Sequence, residues 1–253
     1  MSDSGRLIYG RNAVMEAILA DAGIEKLFMQ KNIEGEGRKI YAIAKKKNIP
    51  VQSVPKVVID KMCAAESPDG RGGLSHQGVA AVITDYVYSD IDAIIASAAG
   101  NGEPPFIVAL DGIEDPQNLG AIIRSAEGAG VHGVLIPKKR AASVNAAVMK
   151  ASAGAASYMK VARVPNIKMA LEELKGKGLW IYGLDPEGTA YSETELKGGL
   201  CLVIGSEGGG MSRIVRETCD FLVAVPMKGH ISSLNASAAA AVVLFEVSSK
   251  WRK

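Results

Sequence analysis

The chain has 253 residues, of which 48% are hydrophobic, enough for one large core or two modest ones and too many for a disordered polymer. Its 29 basic and 27 acidic residues leave a net charge of +2, a near balance that neither announces nor excludes a nucleic-acid binder, because local patches matter more than totals. Aromatic residues make up only 5%, which favours backbone and shape contacts over base-stacking platforms.

The three cysteines, Cys63, Cys201 and Cys219, form no CxxC and are odd in number; Cys201 and Cys219 sit in apolar runs and read as buried thiols. His76, His132 and His230 have no ligand spacing, so no metal site is expected. The first residues contain no apolar signal region, and no apolar run approaches about 18 residues, so a soluble, cytoplasmic protein is expected.

In chain order, Asn12 can cap a helix through Ala20 that places Val14, Ala17 and Ile18 on one face. Lys26–Gln30 reads as a strand, and Glu36–Lys47 as a helix ending in a run of three lysines. Val51–Val54 is a short strand, and Pro55 opens the next helix at a position that tolerates proline. Ser67–Gly78 is a loop by composition, and Gly78–Thr84 is a buried strand. Tyr86–Ala99 reads as a connector with a short helix, and Gly100-Asn-Gly-Glu-Pro-Pro105 is the clearest break. The expected division is residues 6–84, a linker at 85–103, and residues 104–253.

Beyond the break, apolar strands at 106–110, 133–136, 179–183, 200–204 and 221–225 alternate with helical patterns at 117–127, 144–153, 166–175, 212–218 and 235–250. Continuous apolar strands separated by helices predict an α/β fold with a parallel sheet covered on both faces. Ligands bind such sheets beyond the carboxyl ends of the strands, which singles out loops 111–117, 184–189, 205–211 and 226–235.

Gly128-Ala-Gly-Val-His-Gly133 matches the dinucleotide pattern G-x-G-x-x-G, but it closes a helix and leads into a strand, the reverse of the context that pattern needs. It reads as a helix stop and a turn, which argues against nicotinamide binding. Leu202-Val-Ile-Gly-Ser-Glu-Gly-Gly-Gly-Met-Ser-Arg213 does follow a strand and precede a helix that Ser212 can cap. It lacks the Lys-Ser/Thr of a P-loop, and its only charge before Arg213 is Glu207, so a neutral or cationic ligand suits it better than a phosphate. Read as structure alone, it is a tight strand-to-helix turn with a solvated acid. Asp111–Ser125 also follows a strand, with Pro116 at a helix start; Asn118 and Arg124 lie nearly two turns apart on that helix. As structure alone, Asn118 would be a cap and Arg124 a surface charge, although Leu119, Ile122 and Ile123 surround it with apolar neighbours. In Val225–Ser237 a polar loop leads into a helix with a run of small residues, for which Asn235 is the natural cap.

Taken together, D-G-I-x-D-P-x-N-L-G-A-I-I-R-S at 111–125, V-I-G-S-E-G-G-G-M-S-R at 203–213 and V-P-M-x-G-x-I-S-S-L-N-A-S at 225–237 resemble the three motifs of the SpoU (TrmH) family, in family order. Ile8–Ala17 and Ser75–Ala80 resemble the ends of the family's accessory substrate-binding domain, which is similar to ribosomal protein L30e. The architecture is most similar to bacterial 23S rRNA guanosine 2′-O-methyltransferases. The resemblance implies an N-terminal L30e-like domain, a C-terminal parallel α/β domain tied in a trefoil knot, and a homodimer that completes the active site. It implies S-adenosylmethionine as methyl donor and an RNA ribose as acceptor.

By motif position the resemblance assigns cofactor contacts to Gly205, Val225 and Leu234, with Leu184, Met227 and Ser232 as further candidates. It assigns Asn118, Arg124, Glu207, Ser233 and Asn235 to the catalytic site, with Glu207 orienting either catalytic groups or RNA. Arg124 is better suited to clamp a phosphate and polarise the hydroxyl than to act as a base, because a guanidinium holds its proton too strongly. In the N-terminal domain Arg38, Lys45, Lys46, Lys47 and Arg71 are candidates for RNA phosphates, against the alternative of a solvated helix face. Rival readings are a tRNA 2′-O-methyltransferase, an adenosine-directed rRNA resistance methyltransferase, and a non-catalytic RNA-binding assembly factor.

Overall fold

A computed structural model describes residues 6–19, 23–66, 76–83, 86–230 and 233–251. The chain divides into two compact units, residues 1–87 and 88–253. In the first, β1 (Arg6–Tyr9), β2 (Ile24–Gln30), β3 (Val51–Val54) and β4 (Val79–Ile83) form one sheet in the order β1-β4-β2-β3. Only the β2–β3 pair is parallel. Helices α1 (Arg11–Leu19), α2 (Glu36–Lys46) and α3 (Lys56–Glu66) alternate with the strands. Val14, Ile18, Ile40 and Ala44 pack with Leu27, Met29, Val79 and Ala81, whereas Ile59 and Cys63 pack with Val54 and Ala80. Successive β4 residues therefore serve opposite faces, as the pleat requires. That double burial is why β4 reads as one continuous apolar run.

The second unit begins with α4 (Ile91–Gly100), in the stretch that composition marks as a connector. Asp90 caps it by accepting the Ala93 N–H at 2.7 Å, and Ile91 and Ile94 enter this unit's core. Six strands follow: β5 (Phe106–Asp111), β6 (Gly133–Pro137), β7 (Val161–Val164), β8 (Trp180–Ala190), β9 (Leu200–Gly205) and β10 (Phe221–Ala224). They form an all-parallel sheet in the order β10-β8-β9-β5-β6-β7. Ile107, Ala109, Leu135, Ile181, Cys201 and Val203 face α4, α7 (Ile167–Gly176) and α8 (Arg213–Thr218). The alternate residues, among them Val108, Leu110, Leu202 and Ile204, are buried on the face that carries α5 (Pro116–Gly128), α6 (Ala146–Ala151) and α9 (Ala236–Trp251). No helix among the described residues is long and apolar enough to cross a membrane.

Two strands escape the sequence reading. β1 and β7 are four residues each and carry an arginine, so neither shows a run long enough to stand out. A third strand, β8, extends beyond its expected end at 183. Its pairing with β10 jumps from Gly183 opposite Leu222 to Thr189 opposite Val223, which loops out residues 184–188. Gly128–Gly133 behaves as a helix stop: α5 ends at Gly128, Gly130 has φ +79°, and β6 starts at Gly133.

Candidate active site

The chain enters the second sheet at β5, runs outward through β6 and β7, then returns to place β9 between β8 and β5. This reversal of direction is where open α/β sheets hold ligands. The β5–β9 register sets Asp111 opposite Gly205, so the loops that follow the two strands start side by side. Ser206 and Gly210 exchange backbone hydrogen bonds at 2.9 Å in both directions, which closes the glycine loop into a small turn with Glu207 near its tip.

Three side chains from three loops meet there. Glu207 Oε2 accepts the amide Nδ2 of Asn118 and that of Asn235, both at 3.1 Å. Asn235 Nδ2 also donates to Asn118 Oδ1 at 3.0 Å. An ionised carboxylate only accepts, so both amides must turn their nitrogens toward it, and the asparagine orientations follow. Asn235 Oδ1 is then free to cap α9, accepting the Ser237 N–H at 2.9 Å and the Ser237 hydroxyl at 2.6 Å. The cap of α5 is Asp115, which accepts the Gln117 N–H, and this leaves Asn118 to the triad. Ser212 stands at the cap position of α8 but makes no side-chain cap; its N–H donates to Asp111 Oδ2 at 2.7 Å.

Beside this triad lies a cleft of ≈ 190 Å³ whose walls include Leu184, Gly205, Val225, Met227 and Leu234. Five of the six expected cofactor contacts thus share one cavity, with Glu207 and Ser233 on its wall; Ser232 falls outside the described residues. Met227 and Leu234 remain 38% and 40% exposed, apolar surface that a bound ligand would cover. A Cβ on Gly205 would stand 2.1 Å from the Gly210 carbonyl carbon, so only glycine lets the strand end this close to the loop.

The looped-out residues contribute a feature that sequence reading missed. Asp185 receives Arg216 Nε at 2.8 Å and the Glu187 N–H at 2.9 Å, while Arg216 Nη2 donates to Glu187 at 2.9 Å. Burial pushes the Asp185 carboxyl up, but the Arg216 hydrogen bond, the backbone N–H and the guanidinium charge outweigh it and hold it below the ordinary range. The pair fixes the segment that carries Leu184. Asp185 and Arg216 are 31 residues apart, and no local pattern announces such a pairing.

Arg124 stands apart from the triad. It is six residues beyond Asn118 on α5, about 9 Å of rise, and does not line the cleft. It is exposed and has no hydrogen-bond or ion-pair partner among the described residues. One turn further, Gly128 lies next to Phe245 of α9, and Phe245 and Val242 are exposed at 50% and 36%.

The candidate RNA contacts of the first unit are not equivalent. Arg38 and Lys46 are exposed. Lys45 Nζ lies 5.4 Å from the centre of the Tyr41 ring. Lys47 Nζ donates to the Ile18 carbonyl at 2.8 Å, so it fastens the end of α1 rather than facing a ligand. Arg71 falls outside the described residues.

Comparison with known proteins meets this geometry. The family model described as the SpoU rRNA Methylase family matches residues 105–245, and the model for RNA 2′-O ribose methyltransferase substrate binding matches residues 7–89. YacO of Bacillus subtilis, assigned to the TrmH family of tRNA/rRNA methyltransferases, is 41% identical over 249 residues, covering 98% of this chain and 96% of its own. Among solved structures, the SpoU methyltransferase AviRb from Streptomyces viridochromogenes, crystallised with the cofactor AdoMet, matches with TM-score 0.59 at 24% identity and covers 98% of this chain and 90% of its own. The TrmH/SpoU tRNA-modifying enzyme of A. aeolicus matches with TM-score 0.54 at 26% identity over 58% of this chain and 76% of its own. With more than half its length matched by the methylase model and a near full-length relative at 41% identity, the chain belongs to the SpoU family of RNA methyltransferases.

Proposed function

We propose that the protein transfers a methyl group from S-adenosylmethionine to a ribose 2′-oxygen of RNA, with a guanosine of 23S rRNA as its target. The observation that carries this reading is the closed Asn118–Glu207–Asn235 triangle on the edge of an apolar, glycine-floored cleft. The residues present fit the donor. Leu184, Val225, Met227 and Leu234 offer apolar walls to a nucleoside, and the floor at Gly205 is free of side chain. Among the described residues that line the cleft there is no lysine, and the near carboxylate suits a cation. When bound, S-adenosylmethionine supplies a methyl group already activated by its sulfonium charge.

The chain's own residues then have three tasks: to position the hydroxyl, to take charge of its proton and to exclude water. The triangle performs the first by locking three loops together. Both amide protons fall on Glu207 Oε2, so this oxygen organises the loops and is not a free base. Arg124 holds a phosphate and polarises the hydroxyl through its fork, so that the 2′-oxygen gives up its proton to solvent water late in the transfer, as its bond to the methyl carbon forms; Ser233 aligns the ribose.

Because Arg124 lies outside the cleft of its own chain, it serves the partner's site in a homodimer. The exposed Val242 and Phe245 beside the Gly128 turn of α5 supply the apolar surface for that contact. The strand order, with β9 inserted between β8 and β5 and β10 carried to the far edge, suits the threading of a trefoil knot.

Ribosomal RNA is favoured over tRNA by length. The A. aeolicus tRNA-modifying enzyme matches only 58% of this chain, and an RNA substrate-binding model accounts for residues 7–89. The deciding experiment is ribose-methylation mapping of total RNA from cells with and without the gene. One 23S guanosine should lose its mark; loss confined to tRNA would replace the rRNA reading, and an unchanged map would remove the proposed activity.

A further inference from the structure

The glycine loop has a second side. Opposite the apolar cleft lies a larger one of ≈ 480 Å³, at the carboxyl ends of β5, β6, β7 and β9. Ser206 and Gly210 line both, so one short turn separates them. The second cleft differs in chemistry: Lys139, Arg140 and Lys168 stand on its wall. Its acids are Asp111 and Glu114, and Asp111 is already engaged by the Ser212 N–H.

The segment that presents Lys139 and Arg140 is fastened at both ends. The Lys138 N–H donates to the Val164 carbonyl at 2.8 Å, and the Ala142 N–H donates to the Ile113 carbonyl at 2.9 Å. The Val144 N–H donates to the Tyr88 hydroxyl at 2.9 Å. The Ile113 bond joins this segment directly to the loop that leads to Asn118. Between these anchors Lys139 and Arg140 are exposed and have no hydrogen-bond or ion-pair partner among the described residues. Arg140 holds φ +56°, a left-handed conformation that side-chain-bearing residues adopt at a cost and that glycine adopts freely. Rigid anchors on either side and two unpaired cations on the cleft wall leave positive charge here that the fold itself does not use.

We infer that this cleft binds the phosphodiester backbone of the RNA strand flanking the target ribose, with Lys139 and Arg140 as its phosphate contacts and Lys168 at the rim. The inference rests on the proposed function and deepens it: the glycine loop becomes a partition with the methyl donor on one side and the RNA strand on the other. Lys168 contributes less, because it already pairs with Glu172 at 3.1 Å.

The test uses the full-length protein, the variants Lys139→Ala, Arg140→Gly and their double, and unmodified 23S rRNA and tRNA transcripts as probes. RNA affinity is measured across a salt series, S-adenosylmethionine affinity by calorimetry, and methyl transfer by kcat and KM. The logarithmic salt slope should flatten by about 0.7–0.9 for each phosphate deprived of its cation. KM for RNA should rise about tenfold in the double variant with kcat and donor affinity unchanged. Arg140→Gly should melt at or above the wild-type temperature, since glycine relieves the φ, so weakened RNA binding cannot be put down to misfolding. Unchanged slopes would sink the inference, as would a parallel fall in donor affinity, which would mean that the cations hold the donor's carboxylate. The binding arm does not need turnover: a wild type that binds RNA without methylating it overturns the proposed function, and the slopes still decide this subsite.

Discussion

The Asn235 amide donates to Asn118 Oδ1 at 3.0 Å while its own oxygen caps α9, so one side chain joins helix α9 to helix α5 across 117 residues of sequence. Asn235→Ala removes both functions and should cost about 1–2 kcal/mol together with most methyl transfer. Asn235→Asp keeps the capping oxygen but places a second carboxylate beside Glu207 Oε2. Two close carboxylates cannot both ionise cheaply, so one takes up a proton as the pH falls and restores a hydrogen bond. The stability deficit of Asn235→Asp should therefore shrink toward acid pH, while that of Asn235→Ala should not. Thermal melts across pH check this; parallel curves for the two variants would contradict it.

Two neighbouring glycines should respond differently to alanine. At Gly205 the new Cβ would lie 2.1 Å from the Gly210 carbonyl carbon and 2.2 Å from the Met211 nitrogen, both backbone atoms that cannot turn aside. Gly205→Ala should cost more than about 3 kcal/mol and abolish donor binding. At Gly208 the space is open and only φ +82° opposes the change, so Gly208→Ala should cost about 1–2 kcal/mol and retain binding. Chemical denaturation with calorimetric titration of S-adenosylmethionine separates them. Equal losses would mean that strain, not collision, dominates both.

The Asp185–Arg216 pair gives a pH signature. Its folded carboxyl titrates below the ordinary value, so the contribution is complete above that value and disappears as pH falls through the lowered one. Asp185→Asn should therefore lower the melting temperature at neutral pH, with a deficit that closes below about pH 4. It should also weaken donor binding, because the Leu184 segment loses its tether. A deficit constant with pH would show that packing, and not charge, sets the loss.

Adjacent lysines at the end of α2 should part company. Lys47→Ala removes the hydrogen bond to the Ile18 carbonyl and should lower stability while leaving the salt dependence of RNA binding alone. Lys46→Ala should leave stability unchanged, since that side chain is exposed. A flatter salt slope from Lys47→Ala would return it to the RNA surface.

If Arg124 serves the partner's site, two inactive proteins should repair each other. Mixing Arg124→Ala with Asn235→Ala after reversible dissociation should recover about a quarter of wild-type activity, because half the dimers are mixed and each of these carries one intact site. No recovery would place Arg124 in its own chain's chemistry.

The parallel sheet and most of its helices were legible because they rest on local rules. Val108 to Leu110 and Leu202 to Ile204 are continuous apolar runs, which only a strand buried on both faces sustains. Pro116 and Asn235 mark helix starts through backbone chemistry that reaches two or three residues. The motif loops were legible too, as resemblance and as the ends of strands. What was not legible is every contact that depends on strand order. The insertion of β9 beside β5 brings Glu207 to Asn118, and the loop-out of residues 184–188 brings Asp185 to Arg216. The same applies to the lysine run, which reads as one charged patch until the packing of α1 against α2 claims Lys47 for a carbonyl. Burial pattern and capping are decided by a residue's neighbours in the chain, so the sequence by itself carries them. Which loops meet is decided by long-range pairing, and only the folded sheet holds that information.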